Sequence, residues 1–551
     1  MRLTIFIVVL IIVACSKKDD TTVSPSADSF SYQLITINEL AIQPFKGISV
    51  QPNISVKFSA PLNRNSVAGK INLSRLSGSD IAVNLSFASN DSILLVSPQS
   101  RLDYLTRYKI KLDASLTSTS GATLNNAGEI SFYTSLDSSR KFPAISDSAL
   151  LDLVQQQTLK YFYDFGHPVS GLSRERNTSG DLVTIGGSGF GITAMIVGAH
   201  RNFITRAQFL SRMQTIVAFL KNTTQTFKGA FPHWLNGATG VVIPFSTNDN
   251  GADIVETSYL IQGLLCARQY FNGTDAAETA LRADINFIYN RVEWNWFKQA
   301  SENVLTWHWS PSLDFIINLK IRGWNECLIT YVLARSSSTY PISNTVYQQG
   351  WASNGTAGFI NNNIYYGYRL PLGPTLGGPL FFEHYSFMGI NPTVLTDTYA
   401  DYAKQTRNHT LINYNHCKAN PQNYYGYSDS VWGLTSSDIP GGYSASSPTN
   451  DLGVIAPTAA LSSFPFTPTE SMRALKFYYY VLGDKLFKQY GFVDAFKLDE
   501  PWFAESYLAI DQGPIIVMIE NYRSGLLWNL FTSCPEIKTG MLSLGFSAPY
   551  L

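Results

Sequence analysis

A chain of 551 residues exceeds what a single hydrophobic core ordinarily serves, so two or more domains are expected. Lys+Arg and Asp+Glu both number 40, and zero net charge without basic runs excludes a nucleic-acid binder that works by neutralising phosphates. Aromatic residues reach 13% while charged residues stay at 15%, a composition that suits neutral, hydroxyl-rich ligands as well as a large core.

The chain opens with Met1-Arg2, an apolar run from Leu3 to Val13, then Ala14-Cys15. The run is too short to cross a bilayer as a mature helix and reads as a secretory leader. Ile12-Val13-Ala14-Cys15 resembles the lipobox of bacterial lipoproteins. That resemblance implies a leader over residues 1–15, lipidation of Cys15, and anchorage in the cell envelope at the outer membrane, facing the periplasm or the cell surface. Ser16-Lys17-Lys18-Asp19-Asp20 is similar to the export tags of surface-displayed lipoproteins. Residues 16–30, rich in Ser, Asp, Thr and Pro, read as a solvated tether.

From 31 to 137 the texture changes to short alternating runs such as Ile54-Ser55-Val56-Lys57-Phe58, Val83-Asn84-Leu85-Ser86-Phe87 and Tyr108-Lys109-Ile110-Lys111-Leu112. Turn signals at Pro52-Asn53, Asn63-Arg64-Asn65 and Ser120-Gly121 separate them, which predicts an antiparallel β-sandwich. "ISVKFSAPLNRNSV" and "YKIKLDASLTSTSGATL" resemble bacterial Ig-like domains, which implies a spacer rather than a catalytic unit.

Residues 145–551 have a helical rhythm. Ala149 to Phe162 repeats its apolar residues every three to four positions, with Ser146 and Asp147 available as caps. Further helices are expected near 190–203, 205–221, 251–271, 275–293, 322–337, 398–409, 469–482 and 513–531, with less regular ones near 341–350, 380–388 and 453–462. Long aromatic- and Gly-rich loops intervene at 229–250, 294–321, 351–379 and 421–452. About a dozen helices with large loops between alternate pairs predicts a mainly α fold, an (α/α)6 toroid preceded by the sandwich, with an irregular α-solenoid as the alternative. Cys266 and Cys327 lie in apolar helical patterns as expected buried thiols, and a Cys417–Cys534 pairing stays open. The absence of CxxC spacing speaks against a zinc site.

All ten tryptophans fall in the helical half, most of them in or beside the loops. Flat aromatic faces stack on sugar rings while neighbouring polar groups bond the hydroxyls. Glycosidic cleavage needs two carboxyl groups flanking the bond, and three blocks supply them. In Asn248 to Thr257, an acidic loop enters an apolar helix, with Asp249, Asp253 and Glu256 at one-face spacing; capping accounts for the first two but not for Glu256. In Ile321 to Leu328, Glu326 sits between Trp324 and a helix, where desolvation would favour a proton donor, unless it pairs with Arg322. In Leu508 to Pro514, Pro514 suits a first helical turn, which would put Asp511 just outside a helix N-terminus and favour an ionised carboxylate. Glu520 and Arg523 are spaced as a structural pair.

"NDNGADIVETSYLIQGLL", "IRGWNECLITYVLA" and "LAIDQGPIIVMIENYRSGLLW", with "FFEHYSFMGINP" and "YYGYSDSVWGLTSSD" between the last two, resemble the glucoamylase-like domain of glycoside hydrolase family 144 over about residues 145–546. The resemblance implies an (α/α)6 barrel that cleaves β-1,2-linked glucan with inversion, by endo action or by exo action releasing sophorose. It places the acidic cluster on Asp249, Asp253, Glu256, Glu326 and Asp511. Glu326 is then the expected proton donor, exchangeable with Glu256, and Asp511 the expected activator of water. Asp249, Asp253 and Glu256 are then expected to hold sugar hydroxyls or relay the proton, with Trp234, Trp309, Trp324, His384 and Trp432 as further substrate contacts. No metal or other cofactor is expected. The appended sandwich, from the same chain or a dimer mate, is a candidate for narrowing the cleft and turning endo into exo action. The alternatives are a non-catalytic glycan-binding lipoprotein, a glucosidase of another linkage on the same barrel, or a polysaccharide lyase, which the neutral charge disfavours.

Overall fold

The computed structural model describes residues 29–551 apart from positions 77 and 357; the leader, Cys15 and most of the expected tether lie outside the described residues. The chain divides into a unit ending at Leu136 and another beginning at Asp137.

The first unit is a β-sandwich. One sheet has the order β1 (Tyr32–Ile37), β3 (Ile54–Phe58), β7 (Ile93–Pro98), β6 (Val83–Ala88). The other runs β2 (Phe45–Ile48), β9 (Gly128–Thr134), β8 (Arg107–Leu112), β4 (Ile71–Arg75), β5 (Asp80–Ile81). All pairs are antiparallel except β2 with β9. The two-residue period of a strand puts Ile54, Val56 and Phe58 of β3, and Tyr108, Ile110 and Leu112 of β8, into the shared core. Residues between them, such as Lys57 and Lys111, face water.

The second unit contains helices α1 (Asp147–Tyr163), α2 (Ile185–His200), α3 (Arg206–Asn222), α4 (Ile254–Tyr270), α5 (Ala276–Asn290), α6 (Leu328–Ser336), α7 (Tyr402–Ala419), α8 (Pro457–Leu461), α9 (Pro468–Tyr480), α10 (Gly483–Leu486), α11 (Ala509–Ser524), α12 (Leu526–Thr532) and α13 (Pro535–Leu544). Along the chain, half-exposed helices alternate with buried ones. The helices α1, α3, α5, the wide turn Val346–Trp351, α7 and α9 are amphipathic. The helices α2, α4, α6, the turn Ser386–Met388, α8 and α11 are buried nearly throughout. A helix that is apolar all round belongs inside, so the buried six form the inner ring of an (α/α)6 toroid and the amphipathic six its outer ring. In α2 and α4 the backbones nearly touch: a Cβ on Gly189 would lie 2.1 Å from the Tyr259 carbonyl oxygen, and one on Gly263 would lie 2.3 Å from that of Gly189. Glycine costs a helix about 1 kcal/mol relative to alanine, and here it permits this close approach.

Several expected bounds shift. Helix α4 starts at Ile254 rather than 251 because Asp253 itself is the N-cap. Helix α11 starts at Ala509, so Asp511 lies inside its first turn and Pro514 one turn later, and Gly525 in the left-handed region divides the expected 513–531 helix from α12. Cys266, Cys327, Cys417 and Cys534 are all buried free thiols. Glu520 pairs with Arg201 at 2.7 Å and Arg523 with Asp152 at 2.6 Å, not with each other, because both side chains reach neighbouring helices.

Candidate active site

A cavity of about 460 Å³ opens among the loops and helix ends of the second unit. Glu256 and Glu326 line it together with the aromatic side chains of Trp234, Phe245, Trp307, Phe381, Tyr385 and Tyr443. No helix among the described residues is long and apolar enough to cross a membrane.

The first acidic block is organised around Asp253, which is fully buried. Its Oδ1 accepts the Val255 and Glu256 N–H groups, both at 2.9 Å, and its Oδ2 meets His233 Nδ1 at 3.1 Å. A two-residue strand pair sets Asp253 opposite His308, whose Nε2 lies 3.6 Å from both Asp253 Oδ2 and Asp249 Oδ2. The histidines and helix donors hold the Asp253 carboxyl below its ordinary value despite its burial. The surrounding carboxylates, Glu256 foremost, overcome the burial of His233 and push its imidazole up to about 9. Asp249 moves upward through burial and the charge of Asp253. Both oxygens of Asp253 are engaged, and Asp249 is buried as well. Asp253 thus anchors His233, which lines the cavity, and Asp249 lies beside His308; neither carboxylate is itself part of the cavity lining.

Glu256 does not fold back on its own cap. Its Oε2 accepts the Gly186 N–H at 2.6 Å, an orphan donor in the first turn of α2, and lies 3.4 Å from Thr184 Oγ1. A Cβ on Gly186 would sit 2.6 Å from that oxygen, so only glycine leaves room for the carboxyl. Burial raises the Glu256 carboxyl, and the Asp253 charge adds to this against the opposing pull of His233.

Glu326 makes no ion pair with Arg322, which is exposed. Burial pushes its carboxyl up to about 7, helped by the charges of Asp253 and Glu256. The motif around His384 holds this segment in place. Ser386 Oγ donates to the Glu326 carbonyl at 2.5 Å and accepts the Ile329 N–H at 3.0 Å. Glu383 Oε1 accepts the Trp324 indole N–H at 2.9 Å, and also meets Gln405 Nε2 and His409 Nδ1 at 2.8 Å each.

Asp511 lies just behind the cavity wall formed by Leu508 and Ile510. Asp494, a second buried carboxyl, lies beside it. Asp438 lies nearby; it receives Arg176 Nη1 at 3.2 Å on each oxygen, and Glu175 takes the other edge of the same guanidinium at 2.8 Å. Burial and Asp494 push Asp511 well above the usual carboxylate range, and burial takes Asp494 to about 7. The expected ionised Asp511 is therefore corrected: helix-end stabilisation is outweighed by burial beside a second carboxyl, and the pair shares a proton.

Of the expected sugar contacts, Trp234 lines the cavity. Trp324 is buried among Trp351, Phe359, Phe387 and Tyr402. Trp432 is fully buried with its indole N–H on the Glu470 carbonyl at 3.3 Å. His384 is buried against Ser463 at 3.0 Å, and burial lowers its imidazole to about 3, so it is neutral. Trp309 is held in the strand pair beside Ala252 and against Phe227, outside the cavity wall. These four are core or support residues. His233, His308, Trp307, Tyr443, Arg176, Glu175, Asp438 and Asp494 were not singled out by sequence, and no local spacing marks them.

The chain matches the family described as "Putative glucoamylase" over residues 318–535 and the bacterial Ig-like domain over 43–134. It is 43% identical over 418 residues to an exo β-1,2-glucooligosaccharide sophorohydrolase (non-reducing end) of Parabacteroides distasonis; the match takes in 72% of this chain and 58% of the length of that curated relative. Among solved structures, the endo-β-1,2-glucanase of Chitinophaga pinensis is 48% identical with a TM-score of 0.72, covering 74% of this chain and all of that one. A β-1,2-glucanase structure from Parabacteroides distasonis is 35% identical with a TM-score of 0.71, covering 95% of this chain and 74% of that one. With an identity of 48% over the whole of one such enzyme, the chain belongs to the glucoamylase-like family, glycoside hydrolase family 144.

Proposed function

We propose that the chain hydrolyses β-1,2-linked glucan or its oligosaccharides with inversion. The observation that carries this reading is the aromatic-walled cavity in which Glu326, half-buried and raised to about 7, faces the same space as Glu256, with Asp511 behind one wall. Trp234 and Trp307 offer faces for sugar rings, and His233 and Tyr443 offer donors for hydroxyls. Glu326 gives its proton to the leaving oxygen, while Asp511 takes one from the attacking water on the opposite side. Glu256, seated on Gly186, shares the proton inventory of Glu326 through its charge.

The test is release of reducing sugar from linear β-1,2-glucan by the wild type and Asp511→Asn, with β-1,3-glucan and α-glucan as comparators. Wild-type release from β-1,2-glucan alone, and a loss of roughly 100-fold or more in Asp511→Asn, are expected. Equal release from the comparators overturns the linkage, and an undiminished variant overturns the role of Asp511. Early products separate the two modes of action. Mixed oligomers mean endo cleavage, and sophorose alone means exo cleavage.

The leader and Ile12-Val13-Ala14-Cys15 support anchorage of this enzyme in the cell envelope through a lipidated Cys15. In cell fractionation, Cys15→Ala is expected to move the protein from the membrane to the soluble fraction; a wild type that is already soluble overturns the anchor.

A further inference from the structure

Phe245 lines the cavity and is nevertheless 51% exposed, while Glu256, which lines the same cavity, is 7% exposed. The ring therefore stands at the mouth and the carboxyl deep inside. A single apolar side chain in water is ordinary on a protein surface. What sets this one apart is how firmly it is placed. Its ring centroid lies 4.5 Å from that of His233 and 4.7 Å from that of Trp234, both of which also line the cavity.

The backbone fixes the ring from both sides. Strand pairing sets Ile243 opposite Trp234 and Val242 opposite Leu235, and Pro244 follows with its restricted φ. Beyond it the loop closes on itself. The Phe245 N–H donates to the Asp249 carbonyl at 2.9 Å, and the Asp249 N–H meets the Ser246 carbonyl and hydroxyl oxygens at 3.1 Å each. Asp249 is buried, with its carboxyl 3.6 Å from His308, so the tip is tied to the interior. A ring held this way loses little freedom when a ligand covers it, which lowers the entropic cost of binding. Its contacts within the chain leave about half of the side chain open.

We propose that Phe245 is a substrate-binding residue: its open face stacks on a glucosyl ring of the glucan chain away from the linkage being cleaved. With Trp234 it makes an aromatic corner at the mouth of the cavity. The C–H groups on the face of a pyranose ring pack against such a surface, while the ring hydroxyls stay free for polar partners. A sugar seated on this half-exposed ring is not the one whose bond meets the buried carboxyls. Its binding energy is the same before and during the reaction, so it acts on KM and on the preferred chain length, not on the chemical step. This rests on the reading of the cavity as a β-1,2-glucan site.

The experiment compares Phe245→Tyr, Phe245→Leu and Phe245→Ala with the wild type as full chains. It measures kcat and KM on β-1,2-glucooligosaccharides of increasing length and on the polymer. Tyrosine keeps the flat face and is expected to stay within about twofold of the wild type throughout. Leucine keeps an apolar side chain but no flat face. Leucine and alanine are both expected to raise KM about tenfold on the polymer and the longer oligosaccharides, the upper end of what one aromatic contact supplies. On the shortest oligosaccharide that is cleaved, both are expected to stay within about twofold, and kcat is expected to hold at every length. A part in packing alone would spare leucine, weaken alanine equally at every chain length, and lower its urea midpoint. The proposal is overturned if the leucine variant keeps the wild-type KM on the polymer, if KM rises equally at all lengths, or if the loss falls on kcat. A wild type that leaves β-1,2-glucan intact would remove the proposed function and this inference with it, whereas an active wild type beside unaffected variants removes this inference alone.

Discussion

Glu326→Gln is expected to lower kcat on β-1,2-glucan by roughly 1,000-fold, the middle of the range for losing a general acid. Glutamine keeps the size of the side chain and its place beside Trp324, so the fold and KM are expected to change little. The pH profile gives the sharper reading. Burial, with Asp253 and Glu256 adding, pushes the Glu326 carboxyl up to about 7. A donor acts only in its protonated form, which is complete well below that value and drains away as pH rises through it. Wild-type kcat/KM is therefore expected to decline on the alkaline side with a bend near 7, and the residual activity of Glu326→Gln to show no such bend. Activity that persists undiminished in the variant, or a bend at the same pH in both, would assign the proton donor elsewhere, with Glu256 the next carboxyl lining the cavity.

Asp253→Ala carries the largest expected effect on stability. The side chain caps α4 with two backbone bonds and is the fully buried partner of His233. Its removal strands a charged imidazole beside orphaned N–H groups, and breaking a buried pair this way costs about 3–5 kcal/mol. Asp253→Asn keeps an oxygen for the cap but no charge for His233, so it is expected to fall between the two in the urea midpoint of helical circular dichroism. The sign with pH follows from both partners. Asp253, lowered by folding, contributes above the ordinary carboxylate value of 3.8 and loses its contribution as pH falls through its folded value. His233, raised from 6.5 to about 9, contributes fully below 6.5 and loses its contribution as pH climbs through 9. The wild-type advantage over the alanine variant should thus be broadest between these limits and shrink on both sides. A constant difference from pH 4 to 10 would count against the ion pair and leave only the cap.

The block that holds Asp253 shows how differently neighbouring carboxylates are used. In the sequence Asp249, Asp253 and Glu256 look like one face of one helix. In the structure the helix begins after Asp253, and each carboxyl then has its own office: Asp249 beside His308, Asp253 as cap and histidine anchor, and Glu256 carried across to Gly186. The tryptophans diverge in the same way. Trp234 faces the cavity, whereas Trp324 and Trp432 are core, because a loop aromatic has the same sequence signature whichever way the packing of its neighbours turns it. The "FFEHYSFMGINP" block earned attention through His384, but it is Glu383 and Ser386 on either side that hold the segment bearing Glu326.

By itself the sequence determined what is local or periodic. The two-residue rhythm of 31–137 makes a sandwich, and the helical rhythm beyond it makes alternating buried and amphipathic helices, a pattern that a toroid and a solenoid share. The carboxyls of Glu256, Glu326 and Asp511 were also legible, since each stands where an apolar helix begins. Only the tertiary structure decided which groups meet. Asp494 reaches Asp511 from a loop, Arg176 reaches Asp438 across 262 residues, and His233 and Asp253 come from opposite ends of a long loop. Proton affinity depends on burial and on charges a few ångströms away, and neither quantity exists until the ring of helices has closed.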